Sequence, residues 1–251
     1  MPDTSTPIRM GIIGAGGMAT WAHIPAYLRN PKCRVVAIAD TDKTARDRAK
    51  AVFNISKVYE SVDEMLESDI LDGVSICTPP SSHAELVEEC AQKGLHVLCE
   101  KPFALSVTQA ESMVRAAQKN NIILAVGYTL RFFKNMALAK NLLSQGKLGE
   151  LRSIASVYSV DPPKRSWAYD RKISGGGIIM DIGSHVIDLH NWLAESEAKE
   201  MTVYADTDNG ANLEEEAQIL LRYDNVNTLM SLSWKATKSA RPRMAPALWI
   251  A

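Results

Sequence analysis

Lys101, Asp181 and His185 have the residue types and settings for acid–base chemistry. Lys101 stands in Glu100-Lys101-Pro102, directly after the apolar run Leu95–Cys99. A lysine at the carboxyl end of a strand can hold an alkoxide or carbonyl oxygen by a charge-assisted hydrogen bond. By composition alone it would read as a surface lysine ahead of a loop proline. Asp181 and His185 are four residues apart in an apolar, helix-spaced stretch from Ile178 to Leu193, so on a helix they share a face. Asp188 falls near that face. A histidine oriented by a carboxylate is a proton-transfer device, because imidazole titrates near working pH. Gly175-Gly176-Gly177 precede the pair and either let backbone pass close to a ligand or form a flexible loop. They are not a P-loop, since Lys and Ser/Thr do not follow. No third ligand at a convincing spacing joins Asp181 and His185, so no metal site is expected. Trp167 and Tyr169, just before the glycines, read as stacking surfaces for a sugar ring or as ordinary aromatics. His23 and His190 read as structural.

A second constellation is the run Gly11-Ile12-Ile13-Gly14-Ala15-Gly16-Gly17-Met18-Ala19. It follows an apolar strand and opens a helix, and Asp40 ends the next strand 24 residues after Gly16. That is the context in which a glycine-rich turn binds a dinucleotide. Gly14 permits the tight turn, Gly16 lets backbone approach a pyrophosphate, and Ala19 keeps the helix close to the sheet. The helix N-terminus offers free N–H groups to the phosphates. Asp40 would bond the adenosine ribose and repel a 2′-phosphate, which favours NAD, with NADP as the alternative. Lys43 and Arg46 lie close enough in sequence to blur that choice.

The elements that must position these groups follow from the apolar pattern. Ile8–Ile13, Val35–Ala39, Gly73–Cys77, Leu95–Cys99 and Ile122–Val126 are short and apolar throughout, as strands covered on both faces are. Helix-spaced stretches lie between them, so residues 1–127 predict a doubly wound parallel sheet, the Rossmann arrangement. Ser61, Ser81 and Ser106 stand where N-caps belong, and Gly94 and Gly146 where helices stop. From 128 to 251 the texture changes. A helix over Phe132–Ser144 is followed by strand-like runs at Leu151–Val160, Met201–Ala205, Ala217–Tyr223 and Thr228–Trp234. With a turn at Asp224-Asn225 they predict an α+β domain on an antiparallel sheet. The tail from Lys235 to Ala251 reads as neither strand nor helix.

Composition narrows the partners. The 251 residues carry a formal net charge of −1, with 46% hydrophobic and 23% charged residues. No basic excess exists to grip nucleic acid or an anionic membrane. No apolar run approaches the length of a membrane span, and Met1–Pro7 lacks the order of a signal peptide. Cys33, Cys77, Cys90 and Cys99 show no metal or redox spacing and read as free thiols in a reducing cytoplasm.

The chain resembles the Gfo/Idh/MocA oxidoreductases, from about Ile8 to Trp234. The resemblance rests on the glycine run, Thr78-Pro79-Pro80 with His83, Gly94-Leu95-His96-Val97 leading into Glu100-Lys101-Pro102, Gly146-Lys147-Leu148-Gly149-Glu150, and Asp181-x-x-x-His185. It implies an NAD(P)-dependent dehydrogenase or reductase acting on a sugar, cyclic polyol or sugar nucleotide. Lys101 then matches the active-site lysine, His185 the general acid/base, and Asp181 the partner that positions it and touches substrate. Thr78, Pro79, His83, Glu100 and Lys101 itself match the cofactor cleft. Arg131 matches a substrate contact, though Thr129 stands where relatives carry Asn. The family's C-terminal domain is built on an open antiparallel sheet with more strands than this sequence supplies. That implies a truncated or frame-shifted member with an incomplete oligomer face, and leaves a catalytically silent nucleotide-binding protein as the alternative. Homo-oligomers are the family's expectation.

Overall fold

The six short strands of the first sheet lie side by side in the order β3-β2-β1-β4-β5-β6, all parallel. They are β1 (Ile8–Ile13), β2 (Cys33–Ala39), β3 (Lys57–Tyr59), β4 (Gly73–Ile76), β5 (His96–Cys99) and β6 (Leu124–Val126). This is a computed structural model, and it describes residues 6–207, 212–235 and 247–250. The chain divides into two compact units, Met1–Gly127 and Tyr128–Ala251.

In the first unit, neighbouring residues of one strand feed cores on opposite faces. Ile12 and Ile38 join one cluster, and Ile13, Ala37 and Ala39 the other. That is why these runs are apolar throughout. The covering helices are a π-helical turn (Ala19–His23) leading into α1 (Ile24–Leu28), then α2 (Lys43–Phe53), α3 (Val62–Leu66), α4 (His83–Gln92) and α5 (Val107–Lys119). Ser61 and Ser106 cap α3 and α5, accepting from the N–H groups of Glu64 and Gln109 at 3.2 Å each. Ser81 is not a cap. A 3-10 turn (Pro80–Ser82) precedes α4, and Ser82 donates instead to Thr78 Oγ1. Gly94, at φ +73°, closes α4, with its N–H bonded to Ala91 O and that of Leu95 to Cys90 O. This is a left-handed stop that residues with a side chain rarely adopt. Burial pushes the Cys90 thiol up to about 12 and leaves it inert.

The second unit packs α6 (Lys134–Ser144), α7 (Arg171–Ser174) and α8 (Ser184–Ala194) with a five-stranded sheet. Its strands are β7 (Ser153–Ser159), β8 (Glu200–Asp206), β9 (Glu216–Arg222), β10 (Asn227–Ser233) and β11 (Ala247–Ile250), in the order β11-β7-β10-β9-β8. The sheet is mixed and not antiparallel throughout, because β10 runs parallel to β7. Turns constrain only strands joined by them. The long connection from β7 to β10 carries α7, α8 and two strands, so β10 can return beside β7 in the same direction. Val186, Leu189 and Leu193 of α8 enter one core with Ile154, Ile219, Leu221, Met230 and Leu232 of the sheet. The tail also departs from expectation: Ala247–Ile250 pairs with β7 as an antiparallel strand. The remainder of Lys235–Ala251 beyond Lys235 lies outside the described residues.

Candidate active site

Strand order reverses between β1 and β4, and the loops after these two strands flank that switch point. Open α/β sheets bind ligands there. Gly14 has φ +90°, and a Cβ on it would stand 3.0 Å from the Cys77 main chain and 3.0 Å from Thr78 Cγ2. Both its backbone and its packing therefore require glycine. A Cβ on Gly16 or Gly17 would meet nothing within 4 Å. The protein's own packing does not require these two glycines, which leaves close approach by a ligand as their physical reason. Ala19 is fully buried, as a tight helix–sheet contact needs. Met18 is half-buried beside it. These features fit a dinucleotide pyrophosphate.

Asp40 has a task that its sequence position did not disclose. Its Oδ2 accepts the Ala15 N–H at 2.6 Å, and its Oδ1 accepts the Asp42 N–H at 2.8 Å. The carboxylate braces the glycine loop, and each oxygen keeps a lone pair for a ribose hydroxyl. Arg46 is buried, donating to Asp40 O at 2.6 Å and to Glu60 Oε1 at 2.7 Å. Lys43 pairs with Asp47 on the surface.

Thr78 and Pro79 are half-buried on the loop after β4. His83 is fully buried, with Nε2 3.0 Å from Thr78 O and Nδ1 3.0 Å from Pro102 O. It ties the Thr78 loop to the Lys101-Pro102 segment, which a surface contact with a cofactor would not require. Burial holds its pKa below the ordinary histidine value, against the pull of these carbonyls. Glu100 is also buried, at 5% exposure. Its Oε2 accepts the Lys101 N–H at 3.0 Å and its Oε1 accepts from His23 Nε2 at 2.8 Å. Burial alone would raise its pKa. The hydrogen bond from His23, with the N–H and charge of Lys101, brings it below the ordinary glutamate value. Lys101 itself is half-buried.

In the second unit, Asp181 lies in a π-helical turn (Ile179–Gly183) and His185 in the first turn of α8. The four-residue spacing thus crosses from a wide turn into an α-helix, a change periodicity cannot reveal. Asp181 Oδ1 accepts from Arg165 Nη2 at 3.0 Å, and the Arg165 guanidinium lies 4.7 Å from the Trp167 ring centre. Tyr128 packs edge-on against His185 at 6.1 Å. Trp167 therefore has an arginine on one face. Tyr169 packs into the core, 6.1 Å from Trp234.

The three glycines before Asp181 serve the protein itself. Gly175, at φ +84°, ends α7. A Cβ on Gly177 would fall 2.0 Å from Glu214 O. Buried Glu214 accepts the Gly177 N–H at 2.9 Å and the Ile179 N–H at 3.3 Å through Oε1. Its main-chain oxygen takes the Ile178 N–H at 2.8 Å. One remote residue thus satisfies three N–H groups that a helix start leaves without partners. No sequence signal marked Glu214, because it caps from far along the chain. Arg131 forms a two-pronged ion pair with Asp188, its Nε donating at 2.7 Å. The guanidinium is held by that carboxylate, which draws its pKa up. Among the described residues no cluster of three His, Cys, Asp or Glu could hold a metal ion.

Comparison with known proteins agrees with this architecture. Residues 8–128 match the family model described as oxidoreductase family, NAD-binding Rossmann fold. Residues 136–245 match the GFO/IDH/MocA C-terminal domain. The chain is 32% identical over 194 residues to the rhizopine catabolism protein MocA of Rhizobium meliloti, covering 76% of this chain and 59% of that protein. It is 29% identical over 199 residues to myo-inositol 2-dehydrogenase of Thermotoga maritima, covering 79% and 58%. It therefore spans little more than half the length of these relatives. Among solved structures, the WlbA dehydrogenase from Bordetella pertussis, in complex with NADH and UDP-GlcNAcA, superimposes with a TM-score of 0.87 at 25% identity. That match covers 94% of this chain and 70% of the other. Since each unit matches its own half of one family, the chain belongs to the Gfo/Idh/MocA oxidoreductases.

Proposed function

We propose that the chain is an NAD-dependent oxidoreductase acting on a secondary alcohol of a sugar, cyclic polyol or sugar nucleotide. In this reading residues 1–127 bind the dinucleotide and residues 128–251 select the substrate. The observation that carries it is the glycine loop at the switch point, with Gly16 and Gly17 bare where the protein's own packing allows a side chain. Relatives named for inositol and for sugar nucleotides support the substrate class. Asp40 at the loop favours NAD over NADP, since a second negative charge there would be repelled.

Bound nicotinamide supplies hydride chemistry. The chain's residues manage the oxygen and its proton. Lys101 steadies negative charge developing on the substrate oxygen by a charge-assisted bond. His185 takes the hydroxyl proton in the oxidation direction and returns it in reduction. Asp181 holds the ring and meets the substrate, with Arg165 and Trp167 beside it. Arg131 acts through Asp188. The uncovered outer face of the second sheet, bearing Val157, Leu220 and Leu229, fits contact with a second copy of the chain. No described helix is long and apolar enough to cross a membrane. The free thiols suit a reducing cytoplasm.

The test is NADH binding by fluorescence followed by turnover on a panel of inositols, sugars and sugar nucleotides. Lys101→Ala is expected to keep NADH affinity within about threefold and to lower kcat by about a hundredfold. Turnover that survives this change would refute the mechanism. Binding without turnover on any substrate would favour a silent nucleotide-binding protein.

A further inference from the structure

We propose that His23 is a positioning residue for Lys101, acting through the buried carboxylate of Glu100. This rests on the reading of Lys101 as the group that steadies the substrate oxygen. His23 closes the π-helical turn behind the glycine loop, whereas Glu100 follows β5, two strands away from β1. Their side chains meet inside the unit, at 9% and 5% exposure, with His23 Nε2 donating to Glu100 Oε1 at 2.8 Å.

The chain of contacts continues in both directions. His23 Nδ1 lies 3.2 Å from Ser75 Oγ, and Ser75 Oγ lies 2.6 Å from the Tyr27 hydroxyl. One proton arrangement satisfies every member: Tyr27 donates to Ser75, Ser75 to His23 Nδ1, and His23 Nε2–H to Glu100. At the other end, Glu100 Oε2 accepts the main-chain N–H of Lys101 at 3.0 Å. The direction of the carboxylate therefore sets the plane of the peptide that carries Lys101. Gly127 keeps room for it, since a Cβ there would stand 3.2 Å from Glu100 Oε1. A buried carboxylate is costly unless paired, and apolar residues would pack this space more cheaply. A carboxylate held by His23 on one oxygen and by the Lys101 main chain on the other has a use that packing alone does not supply. It links the helix at the cofactor loop to the segment bearing Lys101.

The test compares His23→Leu, His23→Gln and Glu100→Gln in the full chain. The first readout needs no turnover. Lys101 is acylated with an N-hydroxysuccinimide ester and its rate read by peptide mass spectrometry, with Lys43 and Lys50 as internal references. His23→Leu is expected to change the Lys101 rate at least about threefold. His23→Gln can still donate to Glu100 and is expected within about twofold of the parent. The second readout is kinetic. His23→Leu is expected to lower kcat about tenfold while KM for substrate moves less than about threefold, as loss of alignment predicts. A folded His23→Leu with unchanged Lys101 labelling would overturn the proposal. So would a His23→Gln variant as impaired as His23→Leu. If His23→Leu does not fold, Glu100→Gln carries the comparison: a changed Lys101 rate supports the proposal and an unchanged one overturns it. A parent protein that turns over no substrate defeats the functional reading, while the labelling still decides the role of His23.

Discussion

Replacing Glu214 with alanine removes the cap that holds the start of the helix bearing Asp181 and His185. Two N–H groups, of Gly177 and Ile179, lose a carboxylate oxygen at 2.9 and 3.3 Å. A hydrogen bond to a charged group contributes about 1.5–3 kcal/mol, and a lost N-cap alone costs about 0.5–2 kcal/mol. The longer bond counts for less, and the Ile178 N–H keeps its main-chain partner. The expected loss is therefore about 3 kcal/mol. Glu214→Gln keeps an acceptor without the charge and is expected to lose about 1 kcal/mol. Urea unfolding followed by tryptophan fluorescence suits the measurement. Trp167, Trp192, Trp234 and Trp249 lie in the second unit, and Trp21 lies in the first. Gly177→Ala supplies a companion, because its Cβ would sit 2.0 Å from a main-chain oxygen that cannot rotate away. A Glu214→Ala loss below about 0.5 kcal/mol would show that solvent replaces the cap and refute the reasoning.

Two further outcomes can be measured directly. Gly14→Ala combines a forbidden φ with a 3.0 Å approach to Cys77, so NADH affinity should fall about tenfold, and fluorescence titration showing no change would contradict the site. His190 is fully buried, with its pKa pushed down to about 4. Unfolded histidine binds its proton near pH 6.5, so the unfolded state gains protons first and stability falls as pH drops from about 6.5 to 4, by roughly 3 kcal/mol. A pH series of melts on the parent and His190→Gln would show a shallower slope in the variant, which keeps the buried His83; equal slopes would exclude His190 as a source.

The first unit was legible because its signals are local. Doubly covered strands are apolar end to end, and Ser61, Ser106 and Gly94 announce helix ends within a few residues. β3 was missed, since three residues led by Lys57 on a sheet edge carry too little apolar pattern. The π-helical turns at Ala19–His23 and Ile179–Gly183 were invisible, because one extra residue per turn leaves composition unchanged. The candidates for the chemistry were named from motifs. Their supports were not. Glu214, Arg165 and the His23–Glu100 bond act between segments distant in sequence, where spacing gives no clue. The glycines before Asp181 read as room for a ligand or as a flexible loop; Gly175 ends α7, and Gly176 and Gly177 accommodate Glu214.

The parallel pairing of β7 with β10 has a consequence for how the second unit is made. Everything from Val160 to Val226, including α8 and the capping Glu214, lies within the loop that this pairing closes. The β9–β10 hairpin can form early, because its strands are neighbours in sequence. β7 must instead find β10 across the whole intervening segment, and long closures are slow even though their entropy grows only with the logarithm of length. The helix that carries His185 shares one core with both strands, which contribute Ile154 and Leu232. It cannot acquire its final support until the two ends of the loop have met, so the segment bearing Asp181 and His185 is completed late in folding.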